Sequence, residues 1–122
     1  MTRAFTNILC TDVAATARFY EALLGLTRTG DFGWFILLGM EATPGFELGL
    51  LDATHDTVPQ GAGQPSGVIL TFVVPDVHTA HQKAQALNAD ILAPPTPLPY
   101  GQTRLLLRDP NGTLIDISSP TP

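Results

Sequence analysis

A single cysteine, Cys10, stands in 122 residues, so the chain forms no internal disulfide, and a reducing compartment suits it. Charge is scarce as well: 14% of the residues are charged, six of them Lys or Arg against eleven Asp or Glu. The six basic residues are scattered, and with a formal net charge of −5 they offer no patch for nucleic acid or for an anionic membrane. A neutral or cationic small partner fits this balance, which is equally the ordinary state of a soluble domain. No apolar run approaches the ~20 residues of a membrane-spanning helix. The opening stretch from Met1 to Asn7 has no hydrophobic region of the signal-peptide kind, and a cytoplasmic location is the expectation.

With 44% hydrophobic residues in a length that suits one domain, the chain is long enough to bury a single core. Its most informative stretch is the tail. Two runs rich in Leu and Ile flank Asp109-Pro110-Asn111-Gly112, where Pro fixes one turn residue and Asn-Gly tolerates positive φ; this is a hairpin. In the return strand Asp116 sits between Ile115 and Ile117. The two-residue period puts both Ile side chains on one face and Asp116 on the other, with Leu114 and Ser118. That other face meets either solvent or a polar cavity.

Taken in order, Thr6 to Thr11 reads as a strand, followed by a helix over Val13 to Leu24 with Asp12 as N-cap and Gly25 as its end. Strands follow at Phe32 to Leu38 and at Phe46 to Leu51, separated by a turn at Thr43-Pro44-Gly45. The Gly- and Pro-rich stretch up to Ser66 loses all periodicity and reads as a linker. Gly67 to Val74 is a continuous β-branched run expected as a buried strand, and a second helix capped by Asp76 runs through Asn88. The prolines from Ala93 to Pro99 make an extended connector into the closing hairpin. Laying Asp12 on Asp76, a shift of 64 residues, matches Val13 with Val77, Ala22 with Ala86 and Leu23 with Leu87. Each half then reads strand, helix, strand, strand, strand.

The stretch from Asn7 through Asp12, Phe19-Tyr20 and Leu24-Gly25-Leu26, the second opener Thr71 to Val77, and Arg108 to Asp116 together resemble the vicinal oxygen chelate superfamily. That superfamily includes glyoxalase I, extradiol dioxygenases, and the fosfomycin- and bleomycin-resistance proteins. The resemblance implies an α+β fold in one domain, 1–122: two βαβββ modules, about 1–54 and 67–120, joined by a linker of about 55–66 and paired into a cup-shaped, half-open mixed sheet. It also implies a small organic molecule as partner and a homodimer. Metal-dependent members carry a His or other ligand near the start of each module's first strand and an acid on its last. Seven residues before Asp12 and Asp76 stand Phe5 and Ile69, neither a ligand, while Glu47 and Asp116 match the acid positions. Two carboxylates without imidazoles make a poor transition-metal site. The expectation is therefore no metal and no cofactor, in a protein that sequesters a small organic ligand in its cup. The alternative is a metal-dependent lyase or isomerase of the glyoxalase kind using Glu47 and Asp116. A third reading is a chain that only pairs with partner proteins.

Seven residues are candidates for ligand contact: Asn7, Trp34, Glu47, Tyr100, Gln102, Arg104 and Asp116. Glu47 and Asp116 would form an acidic floor able to bind a cation or an amine or to act as general base; otherwise they are solvent-facing, or Asp116 pairs with Arg104 or Arg108. Tyr100, Gln102 and Arg104 alternate along one side of the strand entering the hairpin, as a ligand wall with Arg104 to clamp a carboxylate or phosphate, or as a wetted edge. Asn7 is a polar side chain with the parity of Phe5 and Leu9. Trp34 would stack on a planar ligand, or close the core or a dimer contact. Cys10 reads as apolar filler, and His55, His78 and His81 as surface.

Overall fold

The computed structural model describes residues 1–63 and 66–122; Gln64 and Pro65, within the expected linker, lie outside the described residues. The chain divides into two compact units, Met1–Gln64 and Pro65–Pro122.

In the first unit, β1 (Thr6–Cys10) leads through Asp12 into α1 (Val13–Leu24), followed by β2 (Thr27–Asp31), β3 (Phe35–Gly39) and β4 (Glu47–Asp52). The Asp12 carboxylate accepts the Ala15 N–H at 2.9 Å, satisfying one orphan donor of the helix start. Gly25, at φ 72°, closes the helix in the left-handed conformation that Gly adopts without a Cβ penalty. The sheet order is β1-β4-β3-β2, with β1 parallel to β4 and the other pairs antiparallel. Alternation then sorts the side chains. Ile8, Ile36, Leu38, Leu48 and Leu50 are all buried on the face that α1 covers with Ala17, Tyr20 and Leu23. Asn7, Leu9, Phe35, Leu37, Glu47, Gly49 and Leu51 share the opposite, helix-free face.

The second unit repeats this plan: β5 (Ile69–Val73), α2 (Val77–Ala86), β6 (Asp90–Pro97), β7 (Gln102–Arg108) and β8 (Leu114–Pro120), with sheet order β5-β8-β7-β6. Asp76 caps α2 by accepting the His78 N–H at 2.9 Å. Leu105, Leu107, Ile115 and Ile117 are fully buried on the face toward α2. In the hairpin turn the Asp109 carboxylate accepts the N–H groups of Asn111 and Thr113 at 2.8 and 2.9 Å, and Gly112 takes φ 85°. Among the described residues no helix is long and apolar enough to cross a membrane.

Four details depart from expectation. β2, Thr-Arg-Thr-Gly-Asp, carries no apolar alternation because it is an exposed edge strand, with a bulge between Arg28 and Gly30. The strand expected at Phe32 starts later, at Phe35, because Asp31 accepts the Gly33 N–H and turns the chain there. The β5 run is not buried: Ile69 and Val73 are 55% and 68% exposed, since this edge strand has a helix on one face only. The proline segment is a strand rather than a connector. β6 runs through Pro94, Pro95 and Pro97 at the other edge, where missing N–H donors are tolerated and the register slips twice.

Candidate functional site

Polar side chains collect on the helix-free face of the second sheet. Thr71 on β5 and Leu106 on β7 flank Asp116 on β8, and Arg104 lies opposite Ser118, one alternation further along. Asp116 is 9% exposed, so its carboxylate does not face bulk water. One oxygen accepts the Thr71 hydroxyl at 3.2 Å; the other, Oδ1, is buried with no hydrogen-bond partner. On the same face the Gln102 side-chain oxygen is likewise buried and unmatched. Arg104 is half-buried. Among the described residues no hydrogen bond or ion pair joins Asp116 to Arg104 or Arg108; Arg108 instead donates to the Gly112 carbonyl at 3.2 Å. Tyr100 does not continue this row. It sits 66% exposed in the turn before β7, next to Gly101 at φ 82°, outside the strand that sets the alternation.

The first unit answers Asp116 with a different residue. Thr71 follows Asn7 by the same 64 residues that separate the two capping aspartates; Thr71 pairs with Asp116, and Asn7 pairs with Gly49. The counterpart of Asp116 is therefore Gly49 and not Glu47, which stands two residues earlier. The Asn7 carboxamide fills the room that the glycine leaves: a Cβ on Gly49 would run into Asn7 Oδ1 and lie 3.0 Å from Phe35 Cε2. Glu47 is occupied elsewhere. Arg3 donates to both its oxygens at 2.6 and 2.7 Å, and these hydrogen bonds hold the carboxyl below its ordinary pKa. The same guanidinium lies 5.1 Å over the Phe5 ring. Arg3 was not among the sequence candidates, although a parallel β1–β4 pairing places the segment before β1 beside the start of β4. Arg3 and Glu47, with Thr27, Thr29, Met40 and Phe46, border a shallow recess of about 490 Å³.

Trp34, one residue before β3, stacks on His55, ring centroids 3.7 Å apart and planes within 6°. Its indole thus already carries a planar partner, and Phe32 and Phe35 stand 6.5 and 6.0 Å away. Nothing in the sequence marked His55 for this contact, which depends on the turn that follows β4: Thr54 donates to the Asp52 carboxylate and His55 N–H to the Asp52 carbonyl.

Among the described residues no three His, Cys, Asp or Glu side chains are placed to hold a metal ion together. Around Asp116 the neighbours are a hydroxyl, leucines and a guanidinium, not the imidazoles or thiolates that suit a transition metal.

The model of the Glyoxalase/Bleomycin resistance protein/Dioxygenase superfamily matches residues 3–117. The "Putative glyoxylase CFP32" proteins of Mycobacterium bovis and Mycobacterium tuberculosis are each 30% identical to it over 122 aligned residues, covering 95% of this chain. The chain spans 43% of the length of these relatives. Among solved structures, a glyoxalase-related enzyme from Fulvimarina pelagi superposes with a TM-score of 0.80 at 21% identity, covering 98% of this chain and 88% of that one. A glyoxalase/bleomycin resistance protein/dioxygenase from Nocardioides gives 0.73 at 24%, covering 99% and 84%. With the repeated βαβββ units and the match along nearly its whole length, the chain belongs to the glyoxalase/bleomycin resistance protein/dioxygenase superfamily.

Proposed function

We propose that this chain is a small-molecule-binding member of its superfamily, which sequesters an organic ligand on the helix-free face of its second sheet without the help of a metal. The observation that carries the reading is the Asp116 carboxylate, nine-tenths buried with one oxygen unmatched. Leaving a buried acceptor unpaired costs ~1–3 kcal/mol, so a donor supplied by a ligand would recover what the fold gives up there. Arg104 adds a planar fork that takes oxygen pairs, the Gln102 carboxamide adds a second acceptor, and Leu106 and Leu114 add apolar area beside them.

The mycobacterial relatives carry the name putative glyoxylase, and the competing reading is a metal-dependent lyase or isomerase of the glyoxalase kind. Against that reading, Glu47 is bound to Arg3, and Gly49 stands where a second carboxylate would be needed. Metal analysis of the purified protein separates the two. The proposal expects substoichiometric metal, together with a native mass-spectrometric adduct from a small-molecule extract that Asp116→Ala and Arg104→Ala both lose. Stoichiometric zinc, nickel, iron or manganese that Asp116→Ala releases overturns it. The homodimer belongs to the same proposal, and light scattering of the purified chain tests it.

A further inference from the structure

The geometry points to the class of ligand: a zwitterion that sets a protonated amine on Asp116 and an anionic oxygen pair on Arg104. This inference rests on the small-molecule reading above and deepens it. In the β7–β8 register Arg104 faces Ser118 and Leu106 faces Asp116, so Arg104 and Asp116 are diagonal neighbours on one face. Such pairs stand ~7–8 Å apart, within reach of an arginine side chain. Opposite charges at that range attract, and a direct pair is the simplest way for each to regain what it lost on leaving water. The structure does not take it. Among the described residues Asp116 bonds Thr71 through one oxygen, its Oδ1 is buried and unmatched, and no hydrogen bond or ion pair engages the Arg104 guanidinium. The two side chains thus share one face without bonding each other.

A ligand of one charge sign satisfies one side chain and leaves the other as it was. An anion at Arg104 alone lies near the Asp116 carboxylate, and an amine at Asp116 alone lies near the guanidinium, so each singly charged ligand meets repulsion. A molecule carrying both charges a few bonds apart meets none. The Asp116 Oδ1 atom needs a donor, which an ammonium supplies, and the arginine fork needs paired oxygens, which a carboxylate supplies. The leucines on either side of Asp116, Leu106 on β7 and Leu114 on β8, suit a short methylene spacer. Amino acids and other amino carboxylates belong to this class.

The test titrates the full chain, ¹⁵N-labelled, with 4-aminobutyrate and with its two singly charged analogues, butylamine and butyrate. The expected result is that 4-aminobutyrate shifts the amides of Thr71, Arg104 and Asp116 and binds roughly tenfold more tightly than either analogue, as one added charge-assisted contact allows. Arg104→Gln should reduce 4-aminobutyrate to the affinity of butylamine, and Asp116→Asn should reduce it to that of butyrate; the dispersed amide spectrum shows that each variant is folded. Butylamine or butyrate binding as tightly as 4-aminobutyrate overturns the zwitterion, as does the absence of shifts at this face with all three probes. Neither result touches the broader small-molecule reading, which the extract adduct decides separately.

Discussion

The two helix-free faces are built on one plan and differ most at one seat. In both units the residue five before the capping aspartate points to this face and meets the last strand in the same register. In the first unit that pair is Asn7 with Gly49, and the carboxamide covers the glycine. In the second it is Thr71 with Asp116, and the hydroxyl matches only half of the carboxylate. The helix-facing sides stay alike, each buried and aliphatic. Each sheet therefore divides its labour between its two faces. One face is fixed by the requirement to close a core against a helix, and the other is free to carry polar side chains. The first unit fills its polar seat with the Asn7 carboxamide, and the second leaves one carboxylate oxygen unmatched.

Neighbouring positions on β8 should separate the two faces of the sheet most clearly. Ile117→Ala, on the fully buried helix side, should cost ~2–5 kcal/mol in urea denaturation. Asp116→Leu, one residue away on the other side, should do the reverse. It replaces a half-matched buried carboxylate by a side chain of similar size beside Leu106 and Leu114, and a gain of about 1–3 kcal/mol is expected. A loss of stability in Asp116→Leu would mean that the carboxylate is already matched and that both helix-free faces satisfy their polar seats from within.

Much of this was legible in the sequence, for reasons specific to particular residues. Asp12 and Asp76 mark both helix starts because a short oxygen-bearing side chain is what an N-terminus needs. The Ile-Asp-Ile alternation placed Asp116 opposite the core because a strand's period allows no other arrangement. Edges were harder to read. β2 and β6 need neither an apolar face nor a full set of N–H donors, so Thr-Arg-Thr-Gly-Asp and the proline run lacked the usual strand signals. The site was legible only where strand parity decides it. Glu47 shares the face of Asn7 but stands two residues from the seat, because the β1–β4 register, which composition does not encode, pairs Asn7 with Gly49. The partners Arg3 and His55 lie outside regular strands, where no period constrains them.

Smaller effects are expected in the first unit. Asp12→Ala should cost about 1 kcal/mol through the lost cap, measurable as a lowered urea midpoint. Gly49→Ala should displace the Asn7 amide and press on Phe35, and the same substitution in an Asn7→Ala background should cost less, with a coupling of about 0.5–1 kcal/mol in the double-mutant cycle. Zero coupling would mean that the carboxamide does not occupy the glycine's seat.

The smallest effect belongs to Glu47, and its value lies in its pH dependence. Arg3 hydrogen-bonds this carboxyl and lowers its pKa in the folded chain below the ordinary 4.5. A carboxyl shifted in that direction contributes stability above its unfolded pKa, and the contribution disappears as the pH falls through the folded value. The pair is exposed on the Arg3 side, so solvent and salt screen it. Glu47→Gln should therefore match the parent protein in acid below the folded pKa, fall slightly behind it above pH 4.5, and lose even that difference at high ionic strength. If Glu47→Gln instead raised stability at neutral pH, as Asp116→Leu is expected to, Glu47 would be a second unmatched carboxylate, and the unmet acceptor would not belong to the second unit alone.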